Sequence, residues 1–579
     1  MRPTSRTAAT AAMTLLAVAT LQADPKKLSE DLEKTKGSDR VNVIVRYKSA
    51  PDSAKALKAQ QRGGQIGRVL GRIKAATYSI KASDAKNLAS DPDVEFVSLD
   101  RPVKATAIDY AERSAAAGIA HGQGWNGQAI GVAVLDSGVA AHDDLKQGNQ
   151  SRVVYSESFV GGSASDGYGH GTHVAGLIAG NGSKSSGGNY FETVTGIGTR
   201  VNIVSLKVLD DTGAGSDSSV IAAIERAIQL KNQFNIRVLN LSLGRPVFES
   251  FTQDPLCQAV EDAWKAGIVV VVAAGNQGGN YAFGTQGYVT IASPGNDPFV
   301  ITVGAVKGEA TSSKSDDKMA IYSSKGPTAI DHIVKPDLVA PGNKLVSLRS
   351  SSNYLASNYS SSWVLKSSYQ NNGSGYSSDY FQLSGTSMAT PIVSGAVAMM
   401  LQKDSTLTPD MVKARLMRTA WKGLPASVSW TDPATCIAYT VTNDLFSIGA
   451  GELDIDAALA DTYRADGAAL SPRVYVDAEG KVRLDWNSVG GLNVVWGTNV
   501  VWGTNVVWGT NVVWGTNVVW GTNVVWGTST VSGYNVVWGT SSPWAASNLG
   551  PTANALTGLN VLTAGESMTL ACGGGLPVM

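Results

Sequence analysis

Four residues of this sequence have the types and settings to perform one piece of chemistry together. Ser387 stands in Leu383-Ser384-Gly385-Thr386-Ser387-Met388-Ala389-Thr390-Pro391, where a loop runs into the apolar stretch Ile392 to Leu401. A hydroxyl there lies beside unpaired N–H groups and the positive end of a helix, which suits a nucleophile and the oxyanion it generates. Serine is a poor nucleophile at its free pKa. It needs a neutral imidazole to take its proton, and a buried carboxylate to orient that imidazole and stabilise its cation. His170, in Tyr168-Gly169-His170-Gly171-Thr172-His173-Val174-Ala175-Gly176, offers the imidazole at a glycine-flanked helix start, where backbone and ligand can come close. Asp136 offers the carboxylate at the end of the apolar run Ile130 to Leu135. Asn276, closing Val272-Ala273-Ala274-Gly275, adds an amide that can donate to an oxyanion together with the Ser387 N–H. Taken singly, each has an ordinary alternative: a turn, a surface or metal-binding histidine, a structural amide. His170 and His173, at i and i+3, could share a metal, but no carboxylate stands nearby at a ligand spacing.

The elements that must position these groups are legible as patterns. Continuous apolar runs at Ile130–Leu135, Val201–Leu209, Val238–Leu243, Ile268–Ala274 and Val300–Val306 alternate with helical patterns at His173–Ala179, Ser218–Leu230 and Pro255–Ala266. Such runs indicate a parallel sheet with helices on both faces. The helix Pro391–Lys403 has no polar face and must run through the interior. Its Pro391 falls within the first turns, where a missing N–H is expected to matter little.

Together the segments Val132 to Gly138, His170 to Gly176, Ser242-Leu243-Gly244, Ala273 to Asn276 and Gly385 to Pro391 resemble the subtilisin-type serine proteases, in the order Asp…His…Ser. The resemblance implies a subtilisin-like α/β fold, no cofactor for catalysis, and acyl transfer on a peptide carbonyl. It gives Ser387 the attack, His170 the proton, Asp136 the orientation of His170, and Asn276 the oxyanion. It also makes Gly213, Gly215, Ser242, Leu243 and Gly244 the backbone that pairs with an extended peptide, with Gln277 and Ala292-Ser293-Pro294 near the pocket and an apolar preference before the cut. Subtilases often hold calcium in the loop after the histidine helix, here Asn181 to Thr195. That loop has Glu192 as its single carboxylate, with Asp144 as a further candidate, so a structural calcium ion is left open and its ligands unknown.

The 579-residue chain has 16% charged residues and zero formal net charge, which gives no reason to expect nucleic acid as a partner. Residues 1–23 read as a signal peptide: Arg2 and Arg6 precede an apolar stretch from Ala8 to Leu21, and no later run is long enough to cross a bilayer, so an exported protein without a transmembrane segment is expected. Residues 24–105 carry 17 basic and 11 acidic side chains and pattern as a small β-α-β-α-β unit; they resemble the inhibitory propeptides of the family, and their basic surplus suits an acidic body. Residues 106–465 are the expected catalytic domain, 466–492 a linker, and 541–579 a tail.

Residues 493–540 repeat Asn-Val-Val-Trp-Gly-Thr, interrupted once in wording but not in register, and hold seven of the 14 tryptophans without a charge or a proline. An even period keeps each side-chain type on one face of a strand, so this tail is β-prone; a glycan-binding surface and an unstructured spacer are the alternatives. Cys257 reads as a buried apolar residue, while Cys436 and Cys572 could pair. Two functions are consistent with these features. One is a secreted, self-maturing serine endopeptidase that acts on proteins or peptides and is inhibited by its own propeptide. The other is a surface adhesin that contacts cells or glycans through the hexads, its protease domain serving only self-processing.

Overall fold

Branched apolar residues without polar alternation can be buried on both faces of a sheet, and the five runs named above become parallel strands. The structure, a computed structural model, describes residues 27–485 and Ser488, apart from positions 29, 71–73, 100–108, 280–286, 352, 432–437, 466 and 479–481. The signal segment, the hexads, Cys436, Cys572 and the C-terminal tail lie outside the described residues. The chain divides into two compact units, the first holding residues 1–105 with 569–579 and the second 106–568.

In the second unit Ile301–Lys307, Val269–Ala273, Ile236–Leu241, Gly131–Asp136, Asn202–Lys207 and Val153–Ser158 lie side by side in that order, all parallel. Leu338–Pro341 adds a parallel strand beside Ile301–Lys307, and the short Lys318–Met319 pairs antiparallel to it, making a sheet of eight strands. The strand order reverses at Gly131–Asp136, so a crevice opens at its carboxyl end, where Asp136 stands. Val153–Ser158 has no counterpart among the expected strands. It is a half-exposed edge with two serines and a glutamate, so it lacks the continuous apolar signal of the interior strands.

Helices form two layers. The serine helix, Thr386–Lys403, is buried at every residue from Met388 to Leu401, and packs on the histidine helix, His170–Ala179, and on five strands of the sheet. Asp217–Phe234 and Pro255–Lys265 pack on each other and on the strands beside them. Ser216 and Asp254 cap these two by accepting from Ser219 N and Leu256 N.

The first unit is an antiparallel sheet in the order Gln65–Leu70, Ala75–Lys81, Arg40–Tyr47, Val94–Leu99. Its core joins Val43, Val45, Tyr78 and Ile80 to Leu88 of the helix Ala82–Leu88 and Ala59 of the helix Ser53–Gln61. The edge strand Gln65–Leu70 is additional to the expected three. Its Ile66 and Val69 are exposed, so the stretch lacked the alternation that marks a half-buried strand.

Part of the stretch read as a linker is folded onto the second unit. Arg473–Val476 and Val482–Asp485 form a hairpin, and Ser471 reaches a buried charge cluster. Lys335 and Lys413, both 0% exposed, share the Asp337 carboxylate at 2.7 and 3.3 Å. Lys413 Nζ also donates to the carbonyls of Pro298, Phe299 and Val300 at 2.8, 3.1 and 3.1 Å and to Ser471 Oγ at 2.9 Å. Burial lowers the Lys413 pKa to about 7 against the pull of Asp337, and the five oxygens around Nζ are stranded when the side chain is removed. Lys413→Met should therefore cost about 3–5 kcal/mol of stability, read as a lower denaturant midpoint; an unchanged midpoint would show that the cluster adds nothing.

Candidate active site

Asp136 is completely buried and His170 nearly so, the imidazole Nδ1 lying 2.8 and 2.9 Å from the two Asp136 oxygens. The contact depends on Gly171. A Cβ at this position would sit 2.2 Å from the Gly138 carbonyl and 3.2 Å from Asp136 Oδ1, so a larger residue would push the helix off the strand. With Nδ1 on a carboxylate, the ring carries its proton there and leaves Nε2 as the acceptor. Burial alone lowers the His170 pKa, but the charge and hydrogen bond of Asp136, with a smaller contribution from Asp166, more than reverse this and leave it above the ordinary histidine value of 6.5. His173 shares no metal geometry with it. Its Nε2 faces the Leu345 carbonyl at 3.1 Å, and burial followed by the nearby His170 lowers its pKa to about 3.

Ser387 begins the serine helix as its second residue, and its Oγ donates to the Ser242 carbonyl at 3.1 Å. Pro391 bears on this position more than its place in the sequence suggested. It is the sixth helical residue, and its absent N–H is the one that would have bonded the Ser387 carbonyl. Ser242 Oγ takes that carbonyl instead, at 2.8 Å. Behind it Asn240 donates to Ser242 Oγ at 3.0 Å and accepts from Ser394 Oγ at 2.8 Å, so a polar chain runs from strand to helix inside the core. Asn240 went unnoticed in the sequence, although an amide inside the run Val238–Leu243 is itself a signal, since a buried amide must find partners.

Asn276 turns its Oδ1 to Thr386, accepting from N at 2.9 Å and from Oγ1 at 3.1 Å. A backbone N–H can only donate, so the contact fixes the amide's orientation and leaves Nδ2 for another acceptor. Gly385, at φ 146°, makes room for it: a Cβ there would lie 3.1 Å from Nδ2. The Ser387 N–H belongs to the first helical turn, whose amides have no intrahelical acceptor.

Gly213 and Gly215 lie in a turn held by Asp210, whose Oδ1 accepts from Thr212 N, Thr212 Oγ1 and Ala214 N at 2.8, 2.7 and 3.1 Å. Gly213 abuts the Tyr168 ring, which stacks on Tyr354 and lies 6.5 Å, centroid to centroid, from the His170 ring. Leu243 and Gly244 continue from Ser242, and Gly244 and Gly275 both approach the Ala292 methyl group, Gly275 also lying against Ser324 Oγ. Gln277 is half-buried, its N–H on Ser324 Oγ at 3.1 Å. Ser293 does not face these glycines: its hydroxyl is fully buried and donates to Asp254 at 2.7 Å.

Calcium does not fit the loop after the histidine helix. Asp144 Oδ1 accepts from Ser183 Oγ at 2.9 Å and Lys184 N at 2.7 Å, and Oδ2 from Tyr380 OH at 2.7 Å. The Arg152 guanidinium takes the carbonyls of Asp144, Ala179 and Val201 at 2.7, 2.6 and 2.9 Å. Glu192 is paired with Arg113. A calcium ion needs six to eight oxygens, and the oxygens named here already face donors, two of them the cations Arg152 and Arg113.

Comparison with known proteins agrees with this architecture. A model of the subtilase family matches residues 127–451. Serine protease AprX of Bacillus subtilis (strain 168) is 38% identical over 355 residues, 60% of this chain and 74% of that protein. Subtilisin E of the same strain is 33% identical over 392 residues, 66% of this chain and 86% of its own length. The crystal structure of a cold-adapted subtilisin-like serine proteinase aligns with 52% of this chain and 85% of that one at 28% identity, with a TM-score of 0.37.

The two helix histidines should titrate far apart. Followed by NMR, His170 should hold its proton at a pH above 6.5 while His173 stays neutral down to about 3. Any reaction that needs a neutral His170 should then fail as the pH falls through a value above 6.5. Titration of His170 below 6.5 would contradict this.

Proposed function

Because the chain belongs to the subtilase family and is a subtilisin-type serine endopeptidase, we propose that Asp136, His170 and Ser387 are its catalytic residues. The observation that carries this reading is the Nδ1 contact of His170 with both oxygens of Asp136, which leaves Nε2 free to act as a base. Ser387 would turn its hydroxyl from the Ser242 carbonyl toward His170 and attack the peptide carbonyl. His170 would take the proton and return it to the leaving amine. Asn276 Nδ2 and the Ser387 N–H would hold the oxyanion. No metal enters any step, and we assign no calcium to the loop around Asp144.

Gly213, Gly215, Ser242, Leu243 and Gly244 are assigned to the backbone of an extended substrate. Main-chain pairing reads no side chains, which favours broad sequence preference. Gly244 and Gly275 present backbone beside the Ala292 methyl group and the uncharged Ser324 hydroxyl, with Gln277 rather than an acid next in the chain, which supports an apolar residue before the cut. We further propose that the protein is exported, that residues 24–105 are an inhibitory propeptide, and that the enzyme removes it by its own activity. Support comes from the leader-like start, the basic surplus of that segment and its folded sheet.

Ser387→Ala should leave an unprocessed precursor on a denaturing gel; normal maturation of that variant would exclude self-processing. Asn276→Ala should lower kcat by about 10²–10³-fold with little change in KM, and an unchanged kcat would remove Asn276 from the oxyanion site. The tryptophan hexads favour a second role in attachment. Deleting residues 487–579 should spare casein hydrolysis while abolishing binding to cells or glycans, and retained binding would rule out that role.

A further inference from the structure

A second carboxylate stands behind the triad. Asp166, four residues before His170 in the loop leading into the histidine helix, is 2% exposed. Its Oδ1 accepts from Ser137 Oγ at 2.9 Å and Gly169 N at 2.7 Å, and its Oδ2 from Thr172 N at 2.8 Å and Thr172 Oγ1 at 2.6 Å. Those hydroxyls are themselves fixed, Ser137 Oγ accepting from Gly171 N at 2.9 Å and Thr172 Oγ1 from Ala140 N at 3.0 Å. Asp166 thus ties the residue after Asp136 to both residues that flank His170 and to Thr172 on the same helix.

Four donors converge on this carboxyl group. A protonated carboxyl would turn its own hydrogen against one of them. Burial is the largest influence and leaves the Asp166 pKa above its ordinary value, while the hydrogen bonds from Thr172, Gly169 and Ser137 all favour the anion and work against that rise. The charged and titratable groups around it are few. Asp136 lies across Ser137, and His170 and His173 are on the helix. Tyr168 is beside it in the loop, and Lys207 on the neighbouring strand donates to the Ser165 carbonyl and pairs with Asp211.

We propose that Asp166 is a positioning residue for peptide hydrolysis. It locks the Asp136 loop to the histidine helix, and its negative charge supports the imidazolium that forms on His170 during turnover. This rests on the assignment of Asp136, His170 and Ser387 made above. Without Asp166 the Asp136–His170 contact would still exist, but Ser137, Gly169 and Thr172 would lose their common acceptor, and the imidazolium would have one anion behind it rather than two.

Asp166→Asn keeps the shape of the group and removes its charge. With a chromogenic peptide amide as substrate, kcat should fall by roughly ten- to a hundredfold, the rate equivalent of a lost charge-assisted hydrogen bond, while KM holds. The acid limb of the kcat/KM profile should move to lower pH, because an anion that favours protonated His170 is gone. A merely structural role would not move that limb, so an unmoved limb overturns the inference even if kcat falls. If the variant does not fold, Thr172→Val and Thr172→Ser decide. Valine removes one donor to Asp166 and should lower kcat, and serine should restore it; equal kcat in all three enzymes overturns the inference. Ser387→Ala is assayed in parallel. Hydrolysis by that variant would bring down the triad assignment, whereas a dead Ser387→Ala with an unmoved Asp166→Asn limb brings down this inference alone.

Discussion

A helix with no solvated face dictates much of this structure. From Met388 to Leu401 the serine helix is buried on all sides, so it must be covered by the sheet on one flank and by the histidine helix on another. That burial brings the N-termini of both helices to the carboxyl end of the strand Gly131–Asp136, where the strand order reverses. The first turn of such a helix has amides without internal acceptors, and here Asn276 accepts from Thr386 N, while in the gap left by Pro391 Ser242 Oγ donates to the Ser387 carbonyl. The proline and the hydroxyl that replaces its hydrogen bond make the backbone at Ser387 part of a tertiary contact.

Charge in this dry interior is tolerated only where hydrogen bonds surround it. Asp136 meets His170 and the Ser137 N–H, Asp166 meets four donors, and Asp337 meets two lysines and Ser471. In each case at least one partner comes from an element far apart in sequence: His170 for Asp136, Ser137 for Asp166 and Lys413 for Asp337. Loss of one partner strands the others, which makes these clusters effective at holding loops in register. The Asp337 cluster does this for the segment after the last helix: Lys413, on the helix Pro409–Thr419, gathers three successive carbonyls with Ser471, so residues near 471 are tied to the sheet.

The loop after the histidine helix follows the same rule with different chemistry. Arg152 collects three carbonyls, and Ser183, Lys184 and Tyr380 surround Asp144, so protein donors brace this loop. Tyr380 belongs to the long segment after Ser347, which also meets the loop through the Tyr190–Tyr369 stack. Two segments far apart in the sequence thus brace each other.

By itself the sequence determined the parallel sheet, the buried helix and the residue types of the site, because continuous apolar runs and glycine-flanked polar residues are local signals. Asp136, His170, Ser387 and Asn276 could be read from such signals, each sitting at the end of a strand or the start of a helix. What the sequence did not reveal has a common physical cause. The edge strands Gln65–Leu70 and Val153–Ser158 lack the continuous apolar run of the interior strands, so their signal is weak, and their pairing is decided by the neighbour they complete. Asp166, Asn240 and Lys413 are ordinary polar residues in their local context. Only the tertiary structure surrounds them with partners from distant segments, and it is that company which turns Asp166 from a loop residue into an anchor behind the imidazole. The same holds for calcium: the loop's few carboxylates left the question open, and the folded arrangement of donors around Asp144 decided it.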